Sequence, residues 1–134
     1  MKTRVFDSWP ILEWILAREP AAGIVERLWL DAQAGRLQLI MSAVNAGEVY
    51  YFLMKRGHTA AALEWRRRTA TLPMRVDAPK MEDIWAAAGL KGQFPISYAD
   101  AFAAELGLRH KCAVVTGDPE FRNVQGLELD WVGG

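Results

Sequence analysis

The chain predicts an α/β fold, with a mostly parallel sheet covered by helices on both faces. Three observations carry this. Short apolar runs alternate with helix-length amphipathic stretches along the whole chain. Two of the runs, Leu37–Met41 and Ala113–Thr116, read as buried strands. No internal repeat, low-complexity tract or linker breaks the alternation, so the 134 residues are expected to form one domain, 1–134.

Lys2–Phe6 is a first strand that ends at Asp7. Pro10 stands where a helix can begin, and Ile11, Leu12, Ile15 and Leu16 give that helix its apolar stripe. Pro20 opens a second helix, with Ile24, Val25, Leu28, Trp29 and Ala32 as its stripe and Gly35 as its stop. After the strand Leu37–Met41, a long helix runs from Ala43 to about Arg56 and halts at Gly57. Another helix, Thr59 to about Thr71, carries Arg66, Arg67 and Arg68. Pro73–Val76 is a brief strand, Pro79 begins a helix to about Leu90, and Gly92 and Pro95 mark a loop. A helix from Ser97 then leads through a turn at His110 and Lys111 into Ala113–Thr116. Alanines 99, 101, 103 and 104 surround Asp100, so this helix can lie close to another element. Leu129–Val132 makes the last strand.

Composition narrows the function classes. Hydrophobic residues make up 51% of the chain and charged ones 24%, which is globular usage. Formal net charge is zero, so no global basic field announces a nucleic-acid partner and any attraction must be local. A single cysteine, Cys112, excludes an internal disulfide and suits a reducing compartment. Without a leader-like N-terminus or a membrane-length apolar run, a cytoplasmic protein with no membrane partner is expected.

Four of the sixteen acids stand out. Asp7 follows the first strand and Asp118 follows Ala113–Thr116, so both fall at the carboxyl edge of a parallel sheet, where open α/β folds bind ligands. Asp100 lies early on the helix after Ser97. Glu48 sits on the third helix between Val44 and Asn45 on one side and Tyr51 and Phe52 on the other, a carboxylate on a largely apolar ridge. No lysine or arginine three or four residues away neutralises it. Each acid also has a purely structural reading. Asp118-Pro119 fits an N-cap, Ser97-x-x-Asp100 fits a capping box, Asp7 fits a cap on the Pro10 helix, and Glu48 fits a distant arginine partner. Together they favour a shared cation, because clustered carboxylates without one repel each other. Oxygen ligands of this kind point to Mg²⁺ or Mn²⁺.

Other chemistries find little support. Two histidines (His58 and His110) and one cysteine are too few for a zinc site or a Cys–His nucleophile. No glycine-rich phosphate loop follows a strand. Arg66–Arg68 read as a solvated face which, with Lys55 and Arg56, could also guide an RNA strand. Among the six tryptophans, Trp14 and Trp29 fit helix stripes, while Trp9 beside Asp7 could line a groove.

Four runs in order, Val5–Trp9, Ser42–Tyr51, Ile96–Phe102 and Thr116–Phe121, resemble the PIN-domain ribonucleases. More narrowly they resemble the VapC-type toxins of toxin–antitoxin pairs, and the resemblance spans essentially the whole chain. It implies a five-stranded parallel sheet in a three-layer α/β/α sandwich. It further implies a Mg²⁺- or Mn²⁺-dependent endoribonuclease that acts on RNA, is silenced by a cognate antitoxin and forms a homodimer. By the same resemblance Asp7, Glu48, Asp100 and Asp118 surround the metal, with Thr116, Ser8 and Asn45 as supporting polar groups. Two alternatives stand beside this reading. A receiver-type signalling domain also gathers acids and a threonine at a sheet edge, but it wants paired acids after the first strand, and Arg4–Ser8 holds one. A degenerate PIN-like module would bind RNA or protein without cutting.

Overall fold

A computed structural model describes residues 2–134. Five strands form one sheet in the order β3-β2-β1-β4-β5: β1 (Lys2–Phe6), β2 (Leu37–Ser42), β3 (Arg75–Asp77), β4 (Ala113–Thr116) and β5 (Leu129–Trp131). Every pairing is parallel. Six α-helices connect them: α1 (Ser8–Ile15), α2 (Ala21–Gln33), α3 (Ala43–Lys55), α4 (Thr59–Arg68), α5 (Met81–Gln93) and α6 (Tyr98–His110). A short 3-10 turn, Pro119–Asn123, follows β4.

Side chains alternate along a strand, so each strand feeds two cores. Phe6, Leu39, Met41 and Val115 pack with α1 to α4 on one face of the sheet. Val5, Ile40 and Val114 pack with α5, α6 and Phe121 on the other. This produces the expected α/β/α layering. The chain proceeds outward from β1 through β2 to β3, then returns to place β4 on the other side of β1. The strand order therefore reverses between β1 and β4, the point where folds of this type open a crevice at the carboxyl edge.

Element boundaries differ from the sequence expectation in a few places. Helix α1 begins at Ser8, two residues before Pro10, because proline is tolerated anywhere in a first helical turn. In α2 the expected stripe residue Ile24 is 39% exposed, and the buried face runs through Ala21, Val25 and Trp29. Helix α4 ends at Arg68, and Thr69 and Thr71 instead donate their hydroxyls to the backbone carbonyls of Arg66 and Arg68. The edge strand β3 lies two residues later than expected, and α5 starts at Met81 rather than Pro79 and runs on to Gln93. No helix among the described residues is long and apolar enough to cross a membrane.

Candidate active site

The ends of β1 and β4 lie side by side, with Phe6 opposite Val115 and the Asp7 N–H donating to the Val115 carbonyl at 3.3 Å. Asp7 occupies the N-cap position of α1, but its carboxylate makes no capping bond and stays free for the cleft. Thr116, fully buried, donates its hydroxyl to Asp7 Oδ2 at 2.9 Å and accepts from the Asp118 N–H at 3.0 Å. One threonine thus fixes two acids.

Helix α3 delivers Glu48. Its N-cap Ser42 accepts from the Val44 N–H, and two turns later Glu48 Oε1 accepts the Ser8 hydroxyl at 2.6 Å. Among the described residues no arginine or lysine pairs with Glu48, which removes the distant-arginine reading. Nor is Glu48 locked in an apolar core. It is half-buried beside an exposed Tyr51, so the ridge it shares is a cleft wall. Asn45, fully buried, donates from Nδ2 to the Ala99 carbonyl at 3.0 Å and ties α3 to the start of α6. Its Oδ1 has no partner.

Helix α6 delivers Asp100. Ser97 caps the helix by accepting from the Asp100 N–H, so the serine half of the capping box forms. The Asp100 carboxylate, only 4% exposed, turns to the other acids. Asp118 does cap its 3-10 turn by accepting from the Glu120 N–H at 2.9 Å, and it still lines the cleft.

The cleft holds about 320 Å³ and carries five carboxylates: Asp7, Glu48, Asp100, Asp118 and Glu120. Carboxylate oxygens of Asp7, Glu48 and Asp100 all lie within 4.8 Å of one another, and so do those of Asp100, Asp118 and Glu120. Burial pushes the Asp7 carboxyl up to about 7; the Thr116 hydroxyl opposes this, and the charge of Glu48 adds to it. Asp100 is driven further, to about 9, first by burial and then by the charge of Asp7, a hydrogen bond to Glu120, and the charges of Asp118 and Glu48. Carboxylates held so close, with no basic side chain paired to them among the described residues, form a donor set suited to a hard divalent ion, and none of the described residues that line the cleft is a histidine, cysteine or lysine.

All four predicted acids thus converge, with Ser8 among them and Thr116 and Asn45 behind. Trp9 lines the cleft as expected, and its indole lies over Gly117: a Cβ at that glycine would fall 2.5 Å from Trp9 Cη2 and Cζ3. Glu120 went unrecognised in the sequence, although it stands two residues past Asp118 in the turn that Asp118 caps. The basic stripe is divided. Arg56 lines the cleft, whereas Arg67 pairs with Glu64 and Arg68 lies 5.4 Å over Trp14.

The sequence profile of the PIN domain matches residues 5–127. The chain belongs to the PIN domain family. Solved structures resemble this PIN domain over nearly its whole length. VapBC2 from Rickettsia felis, solved bound to a promoter DNA fragment, aligns with a TM-score of 0.73 at 13% identity, covering 96% of this chain and 97% of the other. The sarcin–ricin loop cleaving toxin VapC20 of Mycobacterium tuberculosis aligns at 0.73 with 17% identity, covering 89% and 92%. VapBC-1 from nontypeable Haemophilus influenzae aligns at 0.69 with 18% identity, covering 98% and 99%. At such identities the likeness speaks for the fold. No curated protein matches the chain significantly.

Proposed function

We propose that this PIN domain is a divalent-metal-dependent endoribonuclease of the VapC type, acting as the toxin of a toxin–antitoxin pair. The observation that carries the reading is the convergence of Asp7, Glu48 and Asp100, with one oxygen of each inside 4.8 Å of the others and no guanidinium or ammonium paired to them among the described residues. Membership of a nuclease family and the structural neighbours, named for toxins and toxin–antitoxin complexes, support it. An antitoxin partner and a homodimeric state belong to the same proposal.

Asp7, Asp100 and Glu48 would hold the ion, with Asp118 and Glu120 beside them. When bound, Mg²⁺ or Mn²⁺ lowers the pKa of a coordinated water and offsets charge on a phosphodiester. The chain's own residues do the rest. Thr116 holds Asp7 in one rotamer, and Ser8 holds Glu48. Glu48, half-open to solvent, is placed to accept a proton from an attacking water. Asn45 fixes the spacing between Glu48 on α3 and Asp100 on α6.

The test is cleavage of structured RNA by the purified protein with Mg²⁺ or Mn²⁺, and its arrest by chelator. Cutting that survives chelation overturns the metal-dependent mechanism. RNA binding without any cutting moves the protein to a binding module.

A further inference from the structure

On α3, Tyr51, Phe52 and Arg56 follow Glu48 by three, four and eight residues, one face of the helix, and all three line the cleft. Arg56, the C-cap residue of α3, follows Glu48 by about two turns of backbone, and its side chain reaches back toward the cleft. The Tyr51 and Phe52 rings stack, centroids 4.6 Å apart and planes at 24°. The Arg56 guanidinium lies over the Phe52 ring at 5.1 Å. Tyr51 nevertheless remains 49% exposed, an aromatic surface held in order and left in water. Among the described residues that line the cleft, Arg56 is the one cation against five carboxylates.

These features select one kind of ligand. The acid end of the cleft repels an anion unless a metal bridges it, and the arginine end attracts one. A polyphosphate chain with a metal at one phosphate satisfies both ends. The flat ring between them suits a nucleobase, which stacks on an aromatic face whatever its identity. A peptide would need a basic side chain for the acids and an acidic one for Arg56.

We infer that Tyr51, backed by Phe52, is a stacking ledge for an unpaired base next to the phosphate held at the acids, with Arg56 on the neighbouring phosphate. The inference rests on the nuclease reading and adds to it two residues outside the acid cluster, Tyr51 and Arg56. Both residues act in positioning. Stacking on the base contributes equally to the bound ground state and the transition state, so its loss raises KM more than it lowers kcat.

The experiment measures steady-state cleavage of a fluorescein-labelled single-stranded RNA oligonucleotide by the wild type and by Tyr51→Ala, Tyr51→Phe and Arg56→Ala. Tyr51→Ala is expected to raise KM roughly tenfold with kcat within about twofold, and Tyr51→Phe to restore the wild-type value. Arg56→Ala should reduce the slope of log affinity against log salt by about 1. A Mn²⁺-induced rise in Tm, equal in Tyr51→Ala and wild type, shows that the fold and metal site are untouched. An unchanged KM in Tyr51→Ala, while the wild type cuts, overturns the ledge alone. If the wild type neither cuts nor binds the oligonucleotide, the nuclease reading falls and takes the ledge with it. Loss of affinity in Tyr51→Ala for a short arginine-rich peptide, with RNA unaffected, makes the ledge a protein contact and overturns the inference.

Discussion

Helix α6 carries two buried acids with opposite company. Asp100, near its start, is 4% exposed, and the groups that raise its pKa beyond burial are the carboxylates of Asp7, Glu120, Asp118 and Glu48. Glu105, in the middle, is 6% exposed and accepts from Arg109 Nε at 3.1 Å. The same guanidinium donates to Asp77 at 3.0 Å and lies 3.6 Å from Asp83, so one arginine serves three acids. The consequences diverge. Burial alone would raise the Asp77 carboxyl, yet the hydrogen bonds and charges of Arg109 and Arg75 outweigh it and hold the group below its ordinary range. Burial keeps Glu105 above its range while Arg109 pulls it back, and Asp100 has no such counterweight. An acid cluster that the fold completes with its own cation is scaffold. A cluster left incomplete is open to a cation from solution, and that is the physical argument for the proposed chemistry at one end of α6 and structure at the other.

The sharpest way to break this contrast is to remove one charge from each cluster. Asp100→Asn should reduce metal-dependent RNA cleavage by about 10³-fold or more and abolish the rise in Tm produced by Mn²⁺. Cleavage retained within about tenfold would dissolve the distinction. Arg109→Ala should instead leave the Mn²⁺ response intact and cost about 2–3 kcal/mol in the urea unfolding midpoint, less than a fully buried pair because Arg109 is partly exposed. A smaller effect comes from Thr116→Val, which keeps the shape but removes the hydroxyl that positions Asp7 and Asp118. Activity should fall about 10- to 100-fold, and stability by about 1–3 kcal/mol because the buried partners lose their hydroxyl.

The pH dependence gives a further test, and its sign differs between Asp100 and Asp77. Below the ordinary aspartate range, folded and unfolded chains both hold their protons. From there up to about 7 for Asp7 and about 9 for Asp100, the folded chain retains protons that the unfolded chain releases. The Asp7 and Asp100 contribution therefore lowers metal-free stability as pH rises through that window. The Tm of metal-free protein should fall across it, and the slope should flatten in Asp100→Asn. Asp77 works in the other direction. Its stabilisation is full above the ordinary range and is lost as pH falls through its depressed folded value.

Much of this arrangement was legible in the residues. Strands β1 and β4 are both flanked by neighbours on each side, and both matched their expected limits, β4 from its apolar run. That placed Asp7 and Asp118 at one edge before any coordinates. Ser97 announced α6 and hence Asp100. The edge strands were harder. Each has one neighbour and three residues, so little periodicity survives to fix its limits. Glu48 attracted notice as an acid among apolar residues, but for an inverted reason. The ridge is apolar because it forms a wet aromatic wall, a distinction between core and cleft that spacing alone does not carry. Glu120 escaped because its role depends on the tight turn after β4, which folds it back toward Asp100. The Arg109 cluster escaped as well, since Asp77 lies 32 residues from its partner.

Gly117 bears on the entrance to the cleft without contributing a single polar atom of side chain. Its lone hydrogen is what allows the indole of Trp9 to settle against the backbone after β4. A methyl group there would meet the ring at 2.5 Å and lever it out of its berth, since the backbone beneath cannot yield as easily as a side chain can turn. The mouth of the cleft is thus set by a vacancy, and filling it would reshape that mouth while leaving every acid in place.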